Sequence, residues 1–308
     1  MPLRVGTRGS PLALIQTREV VDLLRARHAG PVEEVVIRTT GDTVQDRRLA
    51  EIGGKGLFAK EIHDALSRGR IGCAVHSLKD LETSLPPGIV LGCTLPRADA
   101  RDALILAKAE AAIDPANPFA CLPAGAVVGT ASIRRQAQLL HARPDIVIAT
   151  LRGNVQTRLR KLADGACTAS LLALAGLMRL GLAARADVVL DPDLMLPAAG
   201  QGIIGVTVRQ NDSALREVLA GIDDPGARAA ATAERAMLLR LDGSCRTPIA
   251  AYAQLLPHGS LHLTGLVARG DGSFLLKRGL HGGVADAERI GRELGDSLRT
   301  DSPHDIFD

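Results

Sequence analysis

Short apolar segments alternate with amphipathic segments of helical length along most of this 308-residue chain, and this alternation restricts the possible folds more than any other feature. Several of the apolar segments run into Gly, Ser, Thr or Asn, residues that form turns and cap helices. The alternation predicts an α/β fold, with parallel sheets covered by helices on both faces. In folds of this class ligands bind at the carboxyl ends of the strands.

The alternation stops at Leu95-Pro96-Arg97-Ala98-Asp99 and then begins again, which divides it into two series. The first series predicts strands at Leu3–Thr7, Val35–Thr39, Cys73–Val75 and Ile89–Leu95, and helices from Pro11 to about His28 and from Leu57 to Arg68. The second series predicts strands at Ala103–Leu106, Val127–Gly129, Ile146–Ala149, Leu171–Leu174 and Val188–Leu190, and helices at Ile133–His141 and Val155–Ala163.

The segment from Leu196 to Gly202 has the composition of a hinge, and Ile203–Val208 predicts a strand that returns to the first domain. From Ile222 the pattern changes to a long helix, three strands and a final helix, which predicts a small α+β domain. We therefore predict a first domain of residues 1–96 and 200–220, a second domain of residues 100–195 and a third domain of residues 222–308. Residues 41–56, rich in glycine and charge, predict a mobile loop in the first domain.

The composition argues against several classes of function. Aromatic residues make up only 2% of the chain and tryptophan is absent, so we expect no surface for stacking nucleic-acid bases. No apolar segment reaches the length of a membrane span, and the first residues lack the apolar core of a secretion signal. The five cysteines show no paired metal spacing, and their odd number argues against a disulfide framework. We expect a cytoplasmic protein without a metal, nucleic-acid or membrane partner.

Arginines recur where predicted strands turn into helices. Arg134 and Arg135 follow the turn from Gly129 to Ser132, and further arginines are Arg8, Arg152, Arg158 and Arg179. Any single arginine of this kind is more often part of a solvated helix face. Their recurrence at strand ends argues for a shared site, because strand ends meet at one edge of a sheet and helix N-termini attract anions. The pattern predicts a cleft that holds a small molecule with several negative groups.

Lys79 and Asp80 follow the strand that begins at Cys73. From position alone, a surface ion pair and a functional pair are about equally good explanations. A carboxylate in a basic cleft does not bind anions, but it can donate a proton or stabilise a developing cation.

Cys245 lies in the turn Asp242-Gly243-Ser244-Cys245-Arg246-Thr247-Pro248. It is either an inert surface thiol or the site of a covalent tether, since no histidine is placed by the sequence to act as its base. The segment Gly53-Gly54-Lys55-Gly56-Leu57-Phe58 lacks the spacing of a nucleotide-binding phosphate loop. It predicts a gating loop whose Lys55 can reach the cleft.

Several of these segments together resemble the porphobilinogen deaminases, also called hydroxymethylbilane synthases, from Arg4 to about Tyr252. The motifs that carry the resemblance are Thr7-Arg8-Gly9-Ser10-Pro11-Leu12-Ala13-Leu14, Gly54-Lys55-Gly56-Leu57-Phe58, Val75-His76-Ser77-Leu78-Lys79-Asp80, Gly129-Thr130-Ala131-Ser132-Ile133-Arg134-Arg135-Gln136, Leu151-Arg152-Gly153-Asn154-Val155, Leu196-Pro197-Ala198-Ala199-Gly200-Gln201-Gly202 and the Cys245 turn. Their number and order make the resemblance specific, whereas the part after about Leu261 is only weakly diagnostic.

The resemblance implies two domains like those of type II periplasmic binding proteins, which form a cleft, and a small C-terminal α+β domain. It implies a monomeric transferase that joins four porphobilinogen molecules head to tail, releases ammonia at each step and passes the linear product, hydroxymethylbilane, to the next enzyme of tetrapyrrole synthesis. The growing chain starts on a dipyrromethane cofactor, which is held by a thioether to the cysteine that matches Cys245.

The resemblance also assigns roles to individual residues. Asp80 matches the catalytic carboxylate, and Lys55 and Phe58 belong to the mobile loop. The implied cofactor-binding residues are Cys245, Lys79, Asp80, Thr130, Ser132, Arg134, Arg135 and Arg158. The implied substrate-binding residues are Arg8, Ser10, Arg152, Arg158 and Arg179.

Three positions depart from the family pattern. Leu81-Glu82-Thr83 stands where a proline is common, Thr168-Ala169-Ser170 replaces a usual Asp-Ala pair, and Gly243-Ser244-Cys245 replaces Gly-Gly-Cys. Two other classes of function remain as alternatives: a module that binds a multi-carboxylate anion without turnover, and a cysteine-dependent acyl or phosphoryl transferase.

Overall fold

A computed structural model of the protein describes residues 2–28, 30–43, 59–108, 113–114, 116–242 and 247–307. These residues form two five-stranded sheets and one three-stranded sheet. The two larger sheets belong to two α/β domains, and the smallest sheet belongs to a C-terminal α+β domain. The domain bounds given above stay a prediction. Within the described residues, no helix is both long and apolar enough to cross a bilayer.

The strands of the first sheet are β1 (Leu3–Thr7), β2 (Val32–Val36), β3 (Cys73–Ser77), β4 (Ile89–Thr94) and β10 (Ile204–Arg209). Their order in the sheet is β2-β1-β3-β10-β4. The helices of this domain are α1 (Pro11–Arg25), α2 (Thr40–Thr43), α3 (Lys60–Ser67) and α7 (Ser213–Ala220). One core cluster packs Val20 and Leu24 of α1 against Val5, Val75 and Val206 of the strands, all of them almost fully buried.

The strands of the second sheet are β5 (Asp102–Leu106), β6 (Val127–Gly129), β7 (Val147–Ala149), β8 (Ala169–Ala173) and β9 (Val188–Val189). Their order in the sheet is β7-β6-β8-β5-β9. The helices of this domain are α4 (Ile133–Ala142), α5 (Val155–Ala163) and α6 (Leu174–Arg179). Leu104 lies in the core on one face of β5, and its neighbours Ala103 and Ile105 lie in the core on the other. Because successive side chains alternate between faces, both faces of this sheet are covered, as predicted.

The prediction of parallel sheets was wrong for two strands. β10 runs antiparallel to both β3 and β4, with Val206 opposite Val75 and Cys93, and β5 runs antiparallel to β8 and β9. Both strands follow a crossing between the domains, so the chain enters each sheet from the end opposite to that used by the strands followed directly by helices. The return of residues 203–208 to the first sheet is confirmed.

The third sheet is an antiparallel meander of β11 (Ile249–Leu256), β12 (Ser260–Ala268) and β13 (Leu275–Gly283), covered by α8 (Pro225–Arg240) and α9 (Ala287–Asp301). Its core also contains Leu78, Leu81 and Ile203 from the first domain. The third domain is therefore packed against the segment that carries Asp80.

Three helices were not predicted, and the second strand was displaced. α2 covers Thr40–Thr43 at the start of the predicted loop of residues 41–56, and residues 44–56 lie outside the described residues. α7 begins after the capping side chain of Asp212, and α6 directly continues the apolar pattern of β8. β2 covers Val32–Val36 instead of Val35–Thr39, because its pairing with β1 places Leu3 opposite Val32.

Candidate functional site

Asp80 is presented at the end of β3 by a short 3-10 helix, Leu78–Asp80. The backbone of this turn is fixed by hydrogen bonds from Leu78 N to the Ile203 carbonyl (3.0 Å) and from Leu81 N to the Leu78 carbonyl (3.1 Å). Leu78 and Leu81 are buried in the core shared with the third domain, whereas Lys79 and Asp80 are exposed. The two leucines thus direct the polar pair away from the core.

Lys79 lies next to the arginine pair of the second domain. Its Nζ donates to Gln201 Oε1 at 3.3 Å. The surrounding protein removes part of its hydration, and the Arg135 guanidinium adds a like charge, so the pKa of Lys79 falls to about 8 against the opposing effects of Asp80 and Asp102. Charges of the first domain, at Lys79 and Asp80, therefore interact with charges of the second domain, at Asp102 and the arginine pair.

The turn before α4 is held by hydroxyl groups. Thr130 Oγ1 accepts a hydrogen bond from Ser132 N at 3.1 Å, and Ser132 Oγ caps α4 by accepting from Arg135 N at 3.4 Å. A third hydroxyl, from Ser170, donates to the Gly129 carbonyl at 3.0 Å, which accounts for the serine at this departure from the family pattern. These bonds fix the direction in which α4 presents its arginines.

Arg134 and Arg135 are buried and share one counterion, Asp102. Arg134 Nη2 donates to Asp102 Oδ2 at 2.7 Å, and Arg135 Nη2 donates to Oδ1 at 2.8 Å. Burial alone would raise the pKa of Asp102, but the two guanidiniums lower it far below its usual range. One Nη2 group of each guanidinium is thus already bonded to Asp102. Arg135 Nε, by contrast, is buried without a hydrogen-bond partner among the described residues.

Asp102 and Gln201 are functional residues that the sequence analysis missed. Gln201 is buried, and its Nε2 donates to Asp102 Oδ1 at 2.7 Å while its Oε1 accepts from Lys79. A continuous network therefore runs from Lys79 through the hinge to the arginine pair. The sequence signal that could have identified Asp102 is its carboxylate at the first position of an otherwise apolar strand, Asp102–Leu106.

Arg152 and Arg158 flank the start of α5, which Asn154 caps by accepting from Thr157 N at 2.8 Å. Arg158 Nε donates to the Gly153 carbonyl at 2.8 Å, and Gly153 has a φ of +115°, which favours glycine. Burial and the Arg135 charge lower the pKa of Arg158 to about 10, while Asp80 raises it. Arg158 therefore belongs to the same charged group as Asp80, and Arg152 is buried nearby.

Arg8 and Ser10 follow β1 on the first-domain side. Ser10 Oγ caps α1 by accepting from Ala13 N at 3.2 Å, and α1 begins at Pro11, as predicted. Burial lowers the pKa of His76 to about 3, and the charges of His63 and Arg8 contribute to this decrease. Arg8 is thus close to β3, the strand that leads to Asp80.

Arg179 contacts the hinge. Its Nη2 donates to the Gly202 carbonyl at 3.0 Å, and its Nε lies 3.7 Å from Glu19 Oε2 on α1. Burial lowers the pKa of Arg179, and Glu19 opposes this effect. This arginine therefore connects α6 of the second domain with the first domain.

Three of the predicted functional residues, Cys245, Lys55 and Phe58, lie outside the described residues. Cys73, Cys93, Cys121 and Cys167 are free thiols. Cys73 and Cys93 are fully buried, and burial raises the pKa of Cys73 to about 12. Within the ranges that the structure covers, no three His, Cys, Asp or Glu side chains are grouped as metal ligands would be.

The arrangement can bind carboxylates and manage positive charge. Asp80 is exposed, and its charge interacts with those of Lys79 and Arg158, while the capped N-terminus of α4 carries the arginine pair of the second domain. Guanidinium groups bind carboxylates through paired N–H donors, and Asp80 can stabilise a cation that forms among them.

Comparisons with known proteins agree with this chemistry. A model described as "Porphobilinogen deaminase, dipyromethane cofactor binding domain" matches residues 3–217, and one described as "Porphobilinogen deaminase, C-terminal domain" matches residues 229–300. The porphobilinogen deaminase of Paracoccus denitrificans is 49% identical over 100% of this chain and 96% of its own length. The chloroplastic porphobilinogen deaminase of Oryza sativa subsp. japonica is 48% identical over 99% of this chain and 86% of its own length.

Solved structures include more distant neighbours. The VFT2 domain of Bordetella pertussis BvgS has a TM-score of 0.43 and 14% identity over 76% of this chain and 92% of its own. The periplasmic sulfonate-binding protein SsuA of Methylobacillus flagellatus has a TM-score of 0.39 and 14% identity over 76% of this chain and 67% of its own. Such distant similarity carries no information about function. Because two family models match most of the chain and relatives align over nearly its full length, the protein belongs to the porphobilinogen deaminase family.

Proposed function

We propose that the protein condenses four porphobilinogen molecules head to tail, with release of ammonia at each step, and so forms hydroxymethylbilane on a dipyrromethane primer. The observation that carries this proposal is the position of Asp80, which is exposed among Lys79, Arg135 and Arg158. A site that only bound anions would have no use for a carboxylate at this point.

The described residues fit a dipyrromethane cofactor. Each of its two pyrroles carries two carboxylates, and Arg135 offers a buried Nε that has no partner among the described residues. An unpaired buried donor costs about 1–3 kcal/mol, so a bound carboxylate there would be favourable. We propose that Lys79, Thr130, Ser132, Arg134, Arg135 and Arg158 hold the cofactor and that Cys245 forms its thioether. When bound, the cofactor supplies the pyrrole carbon on which the product chain begins.

Asp80 would act on the incoming porphobilinogen. As the amino group of the substrate's aminomethyl side chain leaves as ammonia, the remaining methylene carbon and the pyrrole nitrogen become electron-poor. The Asp80 carboxylate can accept a hydrogen bond from the pyrrole N–H and stabilise this positive charge. Carbon–carbon bond formation then needs no protein nucleophile. This chemistry does not require a histidine base for Cys245.

The remaining cationic groups would bind the substrate side chains. We propose that Arg8, Ser10, Arg152, Arg158 and Arg179 contact the acetate and propionate groups of the incoming and growing pyrroles. Lys79, with a pKa of about 8, stays mostly protonated at neutral pH and adds to the positive field. Each charge-assisted contact of this kind contributes about 1.5–3 kcal/mol.

We also propose the domain bounds given in the sequence analysis, a role for Lys55 and Phe58 in a loop over the cleft, and a monomer that acts in the cytoplasm and passes its product to the next pathway enzyme. Size-exclusion chromatography with light scattering tests the monomer.

The deciding experiment combines intact-protein mass with turnover. The purified protein should carry a covalent excess of two pyrrole units that Cys245→Ala abolishes, and it should convert porphobilinogen to hydroxymethylbilane and ammonia. Asp80→Ala should lower turnover by at least about 10²-fold, the lower range for a positioned acid–base group. Asp22→Asn is the control, because Asp22 is exposed on α1, with 72% of its side chain accessible.

An unmodified thiol with no release of ammonia would contradict the proposed function and favour a binding module. An unmodified thiol that instead accepts an acyl or phosphoryl group would favour the cysteine-dependent transferase. Normal bilane production by Asp80→Ala would remove Asp80 from the central role.

A further inference from the structure

A second group of ionisable side chains lies around His63 of α3, which faces Glu82 two residues after Asp80. The His63 ring is 3% exposed, and its centroid is 5.7 Å from that of His76 on β3. His63 Nδ1 lies 3.9 Å from Glu82 Oε2, and the Glu82 side chain is 15% exposed. No part of the mechanism proposed above uses these residues.

Three polar atoms of this group lack hydrogen bonds within the part of the chain that the structure describes. They are His63 Nδ1, His63 Nε2 and Glu82 Oε2, all of them buried. A buried polar atom without a partner costs about 1–3 kcal/mol. A displacement of about 1 Å brings Nδ1 and Oε2 from 3.9 Å to a normal hydrogen-bond distance. Such a displacement would pair Nδ1 with Oε2, whereas Nε2 would stay without a partner among the described residues.

The same segment is held from the other side by the third domain. Arg235 of α8 donates from Nη2 to the Glu82 carbonyl at 2.6 Å and to the Thr83 carbonyl at 2.9 Å. Burial lowers the pKa of Arg235, and the Glu82 charge opposes this decrease. Glu82 is thus contacted through its backbone by α8 and faces α3 through its carboxylate.

Burial favours a neutral His63 ring that donates to a carboxylate. Burial lowers the pKa of His63, against the opposing charges of Glu82 and Asp64. His76, whose pKa falls to about 3, stays neutral beside it, and its Nε2 already interacts with Thr207 Oγ1 at 2.9 Å. Glu82 is therefore the acceptor that is available to His63 Nδ1–H.

We infer that Glu82 and His63 form a buried hydrogen-bonded pair that, together with Arg235, positions the Asp80 segment for the proposed reaction. Only Leu81 separates Asp80 from Glu82, so a movement of Glu82 is transmitted directly to the carboxylate. His63 and Glu82 are positioning residues, since they act through Asp80. The catalytic part of this inference rests on the proposed function.

The test uses the cofactor-loaded full-length enzyme, four single variants and one double variant. His63→Phe and Glu82→Ala remove the pair, whereas His63→Asn keeps an N–H donor at the place of Nδ1. Glu217→Gln is the matched control, because this carboxylate is exposed on α7. We expect kcat to fall about 10- to 100-fold in His63→Phe and Glu82→Ala, the range for small misplacements of a catalytic group. We expect the KM for porphobilinogen and the cofactor mass to stay within twofold of wild type.

Rescue separates positioning from a merely structural role. His63→Asn should retain kcat within about threefold, and the double variant His63→Phe/Glu82→Ala should lose no more than the worse single variant, because coupled residues are not additive. Unchanged kcat in His63→Phe or Glu82→Ala, or losses that multiply in the double variant, would overturn the inference.

Hydrogen–deuterium exchange gives an answer that does not depend on turnover. In Glu82→Ala, exchange should rise in peptides covering residues 78–83 and stay unchanged in the third-sheet strands. If the wild type lacked porphobilinogen turnover, the proposed function would fail, and the exchange result alone would decide whether the pair holds the segment. Unchanged exchange at residues 78–83 would overturn the positioning role.

Discussion

Replacing Asp102 by asparagine tests whether a single buried carboxylate holds the arginine pair in place. Asp102 is fully buried and accepts from Arg134, Arg135 and Gln201 at 2.7, 2.8 and 2.7 Å. Asparagine keeps the volume of the side chain, but it removes the negative charge and turns one acceptor into a donor. At least one guanidinium or amide N–H then faces another donor.

The expected loss of stability is large because Arg134 and Arg135 are each 5% exposed and cannot recover hydration without a structural change. Removing one partner of a buried ion pair costs about 3–5 kcal/mol. We expect this loss in the cofactor-free protein, prepared with Cys245→Ala so that no cofactor attaches. For a slope of about 3 kcal/mol per M urea, the unfolding midpoint should fall by about 1 M or more.

The cofactor should offset part of this loss. Its carboxylates would supply negative charge beside Arg134 and Arg135, so Asp102→Asn should destabilise the cofactor-loaded protein by less than the cofactor-free protein. Urea unfolding followed by circular dichroism, performed on both forms, measures the two differences. Cofactor loading is checked on each sample by intact mass.

Asp99→Asn is the matched control, three residues earlier in the chain. Asp99 pairs with Arg101 at 2.6 Å, but the two side chains are 24% and 44% exposed, and such pairs contribute about 0–1 kcal/mol. A cofactor-free Asp102→Asn protein that unfolds within about 1 kcal/mol of its parent would refute the ion-pair reasoning. Equal losses in both forms would show that the cofactor carboxylates do not share these guanidiniums.

Three further predictions follow from individual contacts. Arg135→Leu should lower cofactor loading in the intact-mass spectrum, whereas Arg8→Leu should leave loading unchanged and lower turnover; the reverse pattern would contradict the proposed assignment. Folding lowers the pKa of His76 from 6.5 to about 3, so between these pH values the unfolded state binds more protons than the folded state. As the pH falls below 6.5, the free energy of unfolding should therefore decrease by about 1.4 kcal/mol per pH unit. His76→Gln should flatten this slope in urea titrations at pH 5 and 7, and an unchanged slope would assign the effect to other groups. Glu234 is fully buried and accepts hydrogen bonds from Arg97, Gly200 and Ala253. Glu234→Ala should therefore lower the free energy of unfolding by about 3–5 kcal/mol. A loss below about 1 kcal/mol in urea unfolding would refute this expectation.

Local chemistry explains which parts of the fold could be predicted from the sequence. The predicted starts of α1 at Pro11 and of α4 at Ile133 are confirmed. Such starts are visible in a sequence because the capping side chains, here Ser10 and Ser132, bond to the backbone only three residues away. α6 was missed because its apolar residues continue those of β8, and a short apolar run does not distinguish helix from strand. The direction of β10 depends on the crossing between domains, which no local pattern records.

The difference between local patterns and long-range contacts also explains which site residues could be predicted. The arginines were found because they lie at local strand-to-helix turns. Asp102, their counterion, was not found, because it lies 32 and 33 positions from Arg134 and Arg135 in the sequence. Asp102 and the two arginines come together through the pairing of β5 with β8 and of β8 with β6, which are long-range contacts.

The hinge contributes to the site as directly as the two sheets do. Gln201 accepts from Lys79 of the first domain and donates to Asp102 of the second, while its own carbonyl accepts from Arg97 at 2.9 Å. Arg97 in turn pairs with Glu234 on α8, so the third domain is connected to the same point. Because buried hydrogen bonds have strict requirements of distance and angle, these contacts fix Lys79 relative to the arginine pair more closely than apolar packing alone could. A rotation of one domain against the other would therefore act first on Gln201, and through it on both sides of the site.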